Sequence, residues 1–371
     1  MSTRKAHHKS RFGCATCKAK KVKCDEKRPC GYCAKRHLSC SLAATSLPLP
    51  SPETIERSWR TPEARFTTPS YEAPSFTSTD FSLFRHFTKS TALAQADDSA
   101  SEIVWREAVL DLATQYPYLL HEVLAIAALH LRTTASEQSA FLERTAAEHQ
   151  AKAIPLFREA LVANSTETAL PLFACSCLFV PYHFAAVKNP SSLLFNEETG
   201  SLAEWLVLIQ GCAAVTVEHN ATIMQSPLRA LLGDLYTPRV ENLSGGSTDA
   251  RLVELGRQLP VIPERREVYE QVMIRLRVCY YLSDNANTPL NRKNAALRFP
   301  PIMGHSFTED LALKSPAALI VMAYWCVLLH RVEDRWWLKG RVKPLLLKIA
   351  ELVPFEYAQL MAWPKERVAS E

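Results

Sequence analysis

Six of the chain's eleven cysteines fall between Cys14 and Cys40, a stretch of 27 residues. Their order is Cys14-x2-Cys17-x6-Cys24, five further residues, then Cys30-x2-Cys33-x6-Cys40. Both halves share one spacing, so a small unit is repeated. A C-x2-C pair lets two thiolates reach one tetrahedral ion from a tight turn that opens a helix, and the third cysteine of each half returns after a turn or two of chain. Two closed tetrahedral sites have eight ligand positions, and six sulfurs fill them only if two of the six each touch both ions. Six thiolates and two Zn²⁺ carry a net charge of −2, which favours lysines close by. Those lysines lower the thiol pKa values and favour metal loading at neutral pH.

The opening "MSTRKAHHKSRFG" has charge but no apolar run, so no secretory signal is expected and a reducing compartment follows. In that setting a cysteine cluster points to metal rather than to a disulfide knot. His7, His8 and His37 fall outside the repeat and are expected at the solvated surface. Charge is split along the chain. Residues 1–40 carry twelve Lys/Arg against two Asp/Glu, while residues 41–371 carry thirty-one against thirty-six. A basic head on a mildly acidic body implies a polyanionic partner for the head alone.

The stretch from Cys14 to Cys40 resembles the binuclear zinc cluster (Zn2Cys6) of fungal transcription factors. All six cysteines sit where that motif has them, and "CKAKKVKCDEKRPC" is similar to the family's basic helix followed by Cys-Asp and a loop proline. One departure is that Pro29 directly abuts Cys30. The resemblance implies two Zn²⁺ ions with Cys14 and Cys30 as bridges. Cys17 and Cys24 would complete one site, Cys33 and Cys40 the other. It also implies double-stranded DNA as the partner, read at a CGG-type triplet by Lys20 and Lys21, with Lys21 foremost.

The residues themselves place Lys18, Lys20, Lys21 and Lys23 on one short helix. Lysine donates to guanine O6 and N7 in the major groove or neutralises phosphate. Lys18, Lys23, Arg11, Lys35 and Arg36 are expected on phosphates. "RKAHHKSR" reads as a nuclear import signal or a minor-groove arm, and the nucleus is the expected location.

Positioning such a head requires little else from the chain. Residues 41–80 hold six prolines and dense Ser/Thr, the composition of an extended or disordered tether. No a/d heptad runs through them, so single-site binding and a homodimer formed through the body both stay open. From residue 81 to 371 the apolar residues fall at helical spacing. Pro117 introduces "YLLHEVLAIAALHLR" (118–132), residues 138–162 form a long helical stretch bent near Pro155, and residues 264–282 and 316–338 follow. No strand hairpin signal is present, and the chain has only ten glycines. The expected fold is all-α: a small Zn2Cys6 domain (1–40), a tether (41–80) and a body of ten or more helices (81–371) with a regulatory role.

The apolar runs at 171–187 and 317–329 are interrupted or too short to span a bilayer, so no membrane association is expected. Enzyme chemistry is not expected either. G-x-S-x-G, the P-loop and G-x-G-x-x-G are all missing, and "HEVLA" (121–125) has Ala125 where a metalloprotease helix needs its second histidine. Cys175, Cys177, Trp336 and Trp337 are expected in the core, with His130, His183 and His330 beside it.

The body also resembles, more loosely, the C-terminal domain of short fungal regulators of the sterol-uptake-control type. The similar stretches are "LFRHFTKSTA" (83–92), "YPYLLHEVLAIAALHL" (116–131) and "AYWCVLLHRVEDRWWLKG" (323–340). Arg341 stands where those regulators often carry Trp. This resemblance implies a transcriptional activator of a secondary-metabolite gene cluster. It alternatively implies a regulator gated by a sterol or other small apolar ligand held among the helices.

Overall fold

The structure is a computed structural model and describes residues 15–25, 27, 30–36, 38, 76–196, 198–233, 238, 242–243 and 247–369. Its backbone divides into two compact units, Met1–Pro50 and Ser51–Glu371. The proposed sites at Arg11, Cys14 and Cys40 lie outside the described residues, as do His7, His8, His37 and the tether up to residue 75.

The first unit contains two five-residue helices, α1 (Ala15–Ala19) and α2 (Gly31–Lys35). Helices this short do not persist by propensity alone. Their support is a miniature core of Cys17, Cys24, Cys30 and Cys33, against which Val22, Tyr32 and Leu38 pack.

The second unit is helical throughout its described length, with one isolated bridge, Phe195–Leu202, as its only strand-like pairing among the described residues. It begins earlier than the sequence boundary at 81. Helix α3 (Ser78–His86) is opened by a capping box in which the Thr77 side chain accepts from Asp80 N–H and the Asp80 carboxylate accepts from Thr77 N–H. The T-x-x-D signal lay inside a Ser/Thr-rich stretch and was masked by it.

Three helices are apolar on every side and therefore lie at the centre. These are α5 (Pro117–Arg132), α7 (Ala169–Ala186) and, later in the chain, α10 (Pro316–His330). Between them stand α4 (Val109–Gln115), which precedes α5, α6 (Ser139–Ala163), α8 (Glu204–Glu218) and α9 (Arg266–Asp284); α11 (Val342–Leu352) follows. Helix α7 is long and apolar enough to cross a membrane, but most of it is buried inside this unit.

Aromatic side chains lock the central layers. Tyr118 of α5 meets Phe157 of α6 edge-on at 5.9 Å, and Phe157 meets Phe179 of α7 at 4.6 Å and 86°. Trp325 of α10 is fully buried and donates its indole N–H to the Ala296 carbonyl at 2.8 Å. Each such side chain contributes about 1.5–3 kcal/mol or more by leaving water. Trp337 is likewise buried and Trp336 half-buried.

Helix α6 continues on both sides of Pro155, which leaves the Ala151 carbonyl without its usual donor. The helix ends at Asn164, whose φ of 41° places it in the left-handed region. Asn164 then donates to Glu218 at 2.6 Å and pairs with His219 at 3.0 Å, pinning the ends of α6 and α8 together.

Polar groups in this core divide into satisfied and orphaned. His130 Nδ1 pairs with the Thr91 hydroxyl at 3.0 Å, and His330 with Glu333 at 2.7 Å. His183 Nε2 and both carboxyl oxygens of Glu122 are buried without a hydrogen-bond partner. Burial lowers the His183 pKa to about 4 and raises that of Glu122 well above the usual carboxylate range. Cys175 and Cys212 are buried thiols whose pKa values burial pushes up, so they behave as small apolar side chains.

Candidate metal centre and nucleic-acid interface

The two halves of the cysteine repeat fold alike. In the first, α1 stops as Lys21 N–H bonds the Lys18 carbonyl at 3.2 Å and Val22 N–H bonds the Cys17 carbonyl at 3.1 Å. In the second, Arg36 N–H bonds the Cys33 carbonyl at 3.2 Å, and Leu38 N–H bonds the same carbonyl at 3.0 Å. A bond reaching back five residues is the Schellman closure of a helix, and here each is anchored on the second cysteine of a C-x2-C pair. The closure turns the chain so that Val22 and Leu38 fold back onto the sulfurs.

The sulfurs converge. Cys17, Cys30 and Cys33 have their Sγ atoms within 4.8 Å of one another, and Cys24 Sγ lies within 4.8 Å of Cys30 Sγ. A carboxylate oxygen of Asp25 is as close to both sulfurs of that second group, and Cys30 belongs to both groups. Cys17 Sγ and Cys30 Sγ are 3.6 Å apart, far beyond a bonded S–S pair. Two sulfurs on one tetrahedral zinc at about 2.3 Å stand roughly 3.8 Å apart, so the spacing fits a shared ion. All four sulfurs are buried, Cys30 and Cys33 completely. The donor set is what soft, tetrahedral Zn²⁺ selects.

Asp25 positions the second half. Its carboxylate accepts Gly31 N–H at 3.0 Å (Oδ1) and 3.1 Å (Oδ2), and Lys27 N–H at 3.4 Å. It therefore holds the first residue of α2 next to Cys30. The sequence offered Asp25 only as the residue after a cysteine; its target six residues on has no local signature.

The lysines are arranged differently from the expectation. Helix α1 ends at Ala19, so of the four only Lys18 lies on it. Lys20 is in the closing turn, Lys21 has φ 53°, and Lys23 lies beyond the turn. The helix is cut short because the chain must return Cys24 to the sulfurs with only six residues between it and Cys17. All four lysines are exposed, as are Lys35 and Arg36, and Arg36 stacks over the Tyr32 ring at 4.8 Å. Buried cysteines with exposed cations beside them in the chain present a positive surface to a polyanion.

Comparison with known proteins agrees with this geometry. Residues 12–48 match the fungal Zn(2)-Cys(6) binuclear cluster domain, and residues 82–229 match the fungal specific transcription factor domain. The chain is similar to a Zn(2)-C6 fungal-type transcription factor of Gibberella zeae, 26% identical over 95% of this chain and 84% of that protein. It is also similar to sterol uptake control protein 2 of Saccharomyces cerevisiae, 27% identical over 70% of this chain and 29% of that one. A third relative is the orsellinic acid/F9775 biosynthesis cluster protein D of Emericella nidulans, 25% identical over 74% of this chain and 58% of that one. The chain carries the two domains of the fungal Zn2Cys6 transcription factors, a family of regulators rather than enzymes, whose cluster domain binds two zinc ions.

Proposed function

We propose that this protein is a nuclear, sequence-specific regulator of RNA polymerase II genes that binds double-stranded DNA at CGG-type triplets. In this reading residues 1–40 form the head, with a tether to about residue 77 and a helical regulatory body beyond it. Cys14, Cys17, Cys24, Cys30, Cys33 and Cys40 hold the two ions, and Cys14 and Cys30 are the bridges. The supporting observation is that the Cys30 sulfur lies within 4.8 Å of the sulfurs of Cys17 and Cys24, assigned to one site, and of Cys33, assigned to the other. The ions, when bound, supply rigidity and a cross-link between the two halves; the cations then do the reading. Lys20 and Lys21 project from a turn that the sulfurs fix and take the base edges. Lys18, Lys23 and Arg11 neutralise phosphates.

Its action is activation of a biosynthetic gene cluster, a reading supported by the relative whose name places it in such a cluster. A second reading, a sterol- or lipid-responsive regulator of sterol metabolism, draws on the yeast relative's name, which links that protein to the control of sterol uptake. Site selection on random duplexes with the full-length, zinc-loaded chain tests the first. Enrichment of CGG is expected, and recovery of sequence without any enriched triplet would sink it.

A further inference from the structure

A cleft of about 460 Å³ opens where α5 ends, α6 begins and the chain leaves α7. Arg132, Ser139, Glu143, Val187, Lys188 and Arg341 line it. Glu143 is the one carboxylate among them and is shared. Arg132 donates to its Oε1 at 3.1 Å, Ser139 to the same oxygen at 3.4 Å, and Lys188 to Oε2 at 2.8 Å. Lys188 and Arg132 hold the Glu143 carboxyl below its ordinary value. Arg341 contacts no carboxylate among the described residues; it donates to the carbonyls of Val187 and Ala185, the latter at 3.1 Å. Arg132 donates to the same Ala185 carbonyl at 2.7 Å.

These bonds cap the carbonyl end of α7, but capping alone accounts poorly for the arrangement. The Ala185 carbonyl has two lone pairs and can accept both guanidinium donors, but at an electrostatic cost. Two converge on it and place like charges side by side, both partly buried. Burial and the neighbouring Arg132 together disfavour the charged form of Arg341. Three cations face one carboxylate and a helix end carrying about −0.5 charge, so an excess of roughly +1.5 remains in the cleft. Each guanidinium has five N–H donors. Two of the five are used on Arg132 and two on Arg341. A planar fork with donors to spare beside an exposed lysine is suited to carboxylate or phosphate oxygens. Val187 is the only apolar residue in the lining, so the occupant is polar. The volume is within the usual range for a small-molecule site.

We infer that this cleft binds a small organic anion, a metabolite carrying carboxylate or phosphate groups, with Arg132, Arg341 and Lys188 as its ligands. The inference is independent of the DNA-binding reading.

Isothermal titration of the full-length, zinc-loaded chain with inorganic phosphate and, separately, with succinate tests it, at fixed ionic strength set with chloride. The stronger of the two identifies the preferred anion. Lys188→Gln alters a side chain that is 80% exposed and whose ion pair among the described residues is with Glu143, so the fold is retained. Saturable binding below about 5 mM that Lys188→Gln weakens about fivefold is expected, with Arg341→Met weakening it tenfold or more. No saturable binding of either anion, or binding that Lys188→Gln leaves unchanged, overturns the assignment. The basic head also attracts anions, but this substitution in the body does not alter that background.

Discussion

The Asp25 carboxylate and the Gly31 backbone are in contact so close that no side chain fits between them. Both oxygens accept the Gly31 N–H, and a β-carbon built at Gly31 would stand 2.8 Å from Oδ2. Gly31→Ala forces the carboxylate away and removes a charge-assisted cap from α2. The expected cost is about 1–2 kcal/mol in stability of the cluster unit. Zinc release to a competing chelator should accelerate in Gly31→Ala and Asp25→Ala alike. The double substitution should do little more than either alone, because both break one interaction. Full additivity would show that the contact carries no weight.

Lys21 separates conformation from charge. A non-glycine residue at φ 53° costs about 1 kcal/mol relative to glycine. Lys21→Gly is therefore expected to raise the stability of the cluster unit by about 0.5–1 kcal/mol while weakening DNA binding. If Lys21 reads a base, the loss is concentrated on CGG-bearing duplexes, at about 1–3 kcal/mol, with little change on random duplexes. A uniform loss on all sequences, with a shallower salt dependence, would reassign Lys21 to a phosphate.

Much of this architecture is legible in the sequence, and the rest fails for definable reasons. The C-x2-C-x6-C repeat reappears as matched closures on Cys17 and Cys33, since metal-ligand spacing constrains the backbone directly. Helices α5, α7 and α10 are legible because they are apolar all round. The end of α1 is not, because a left-handed lysine lacks the glycine or asparagine that marks such a stop. Asp25 to Gly31 and Arg341 to Ala185 are not legible either. The first spans six residues, the second 156, and neither gives a local pattern.

Glu122 gives the body a pH dependence of known sign. It is fully buried, lies beside Cys175 and Tyr182, and has no hydrogen-bond partner among the described residues. Its folded pKa is raised, so above the ordinary carboxylate value the folded chain holds a proton that the unfolded chain has released. Stability therefore falls as pH rises through that window. Glu122→Gln keeps the shape and removes the titration. Denaturant unfolding of the two chains should show nearly equal stability at pH 4, with the wild type losing up to about 1.4 kcal/mol per pH unit relative to the variant from pH 5 upward. Parallel curves would mean that Glu122 is hydrated or paired.

The His121–His149 pair has the opposite sign. The two Nδ1 atoms face each other at 3.0 Å inside the body, and His149 Nε2 contacts Asp80 Oδ1 at 3.1 Å. One proton can sit between the facing nitrogens; a second would set two N–H groups against each other. Burial first, then His149 and Lys152, lower His121 to about 4 against the opposing pull of Asp80. Burial also lowers His149, although Asp80 favours its charged form. The unfolded chain thus takes up protons near pH 6.5 before the folded one does, and stability is lost as pH falls from there towards about 4. The link reaches Asp80 of α3, so α3 is the element expected to loosen first. The protection of amides 78–86, taken relative to the intrinsic exchange rate at each pH, should fall below pH 6 while that of α10 is unchanged, and His121→Gln should move that onset by leaving a single titrating ring. Protection of α3 that stays constant from pH 7 to pH 5 would exclude the pair as the acid-sensitive link.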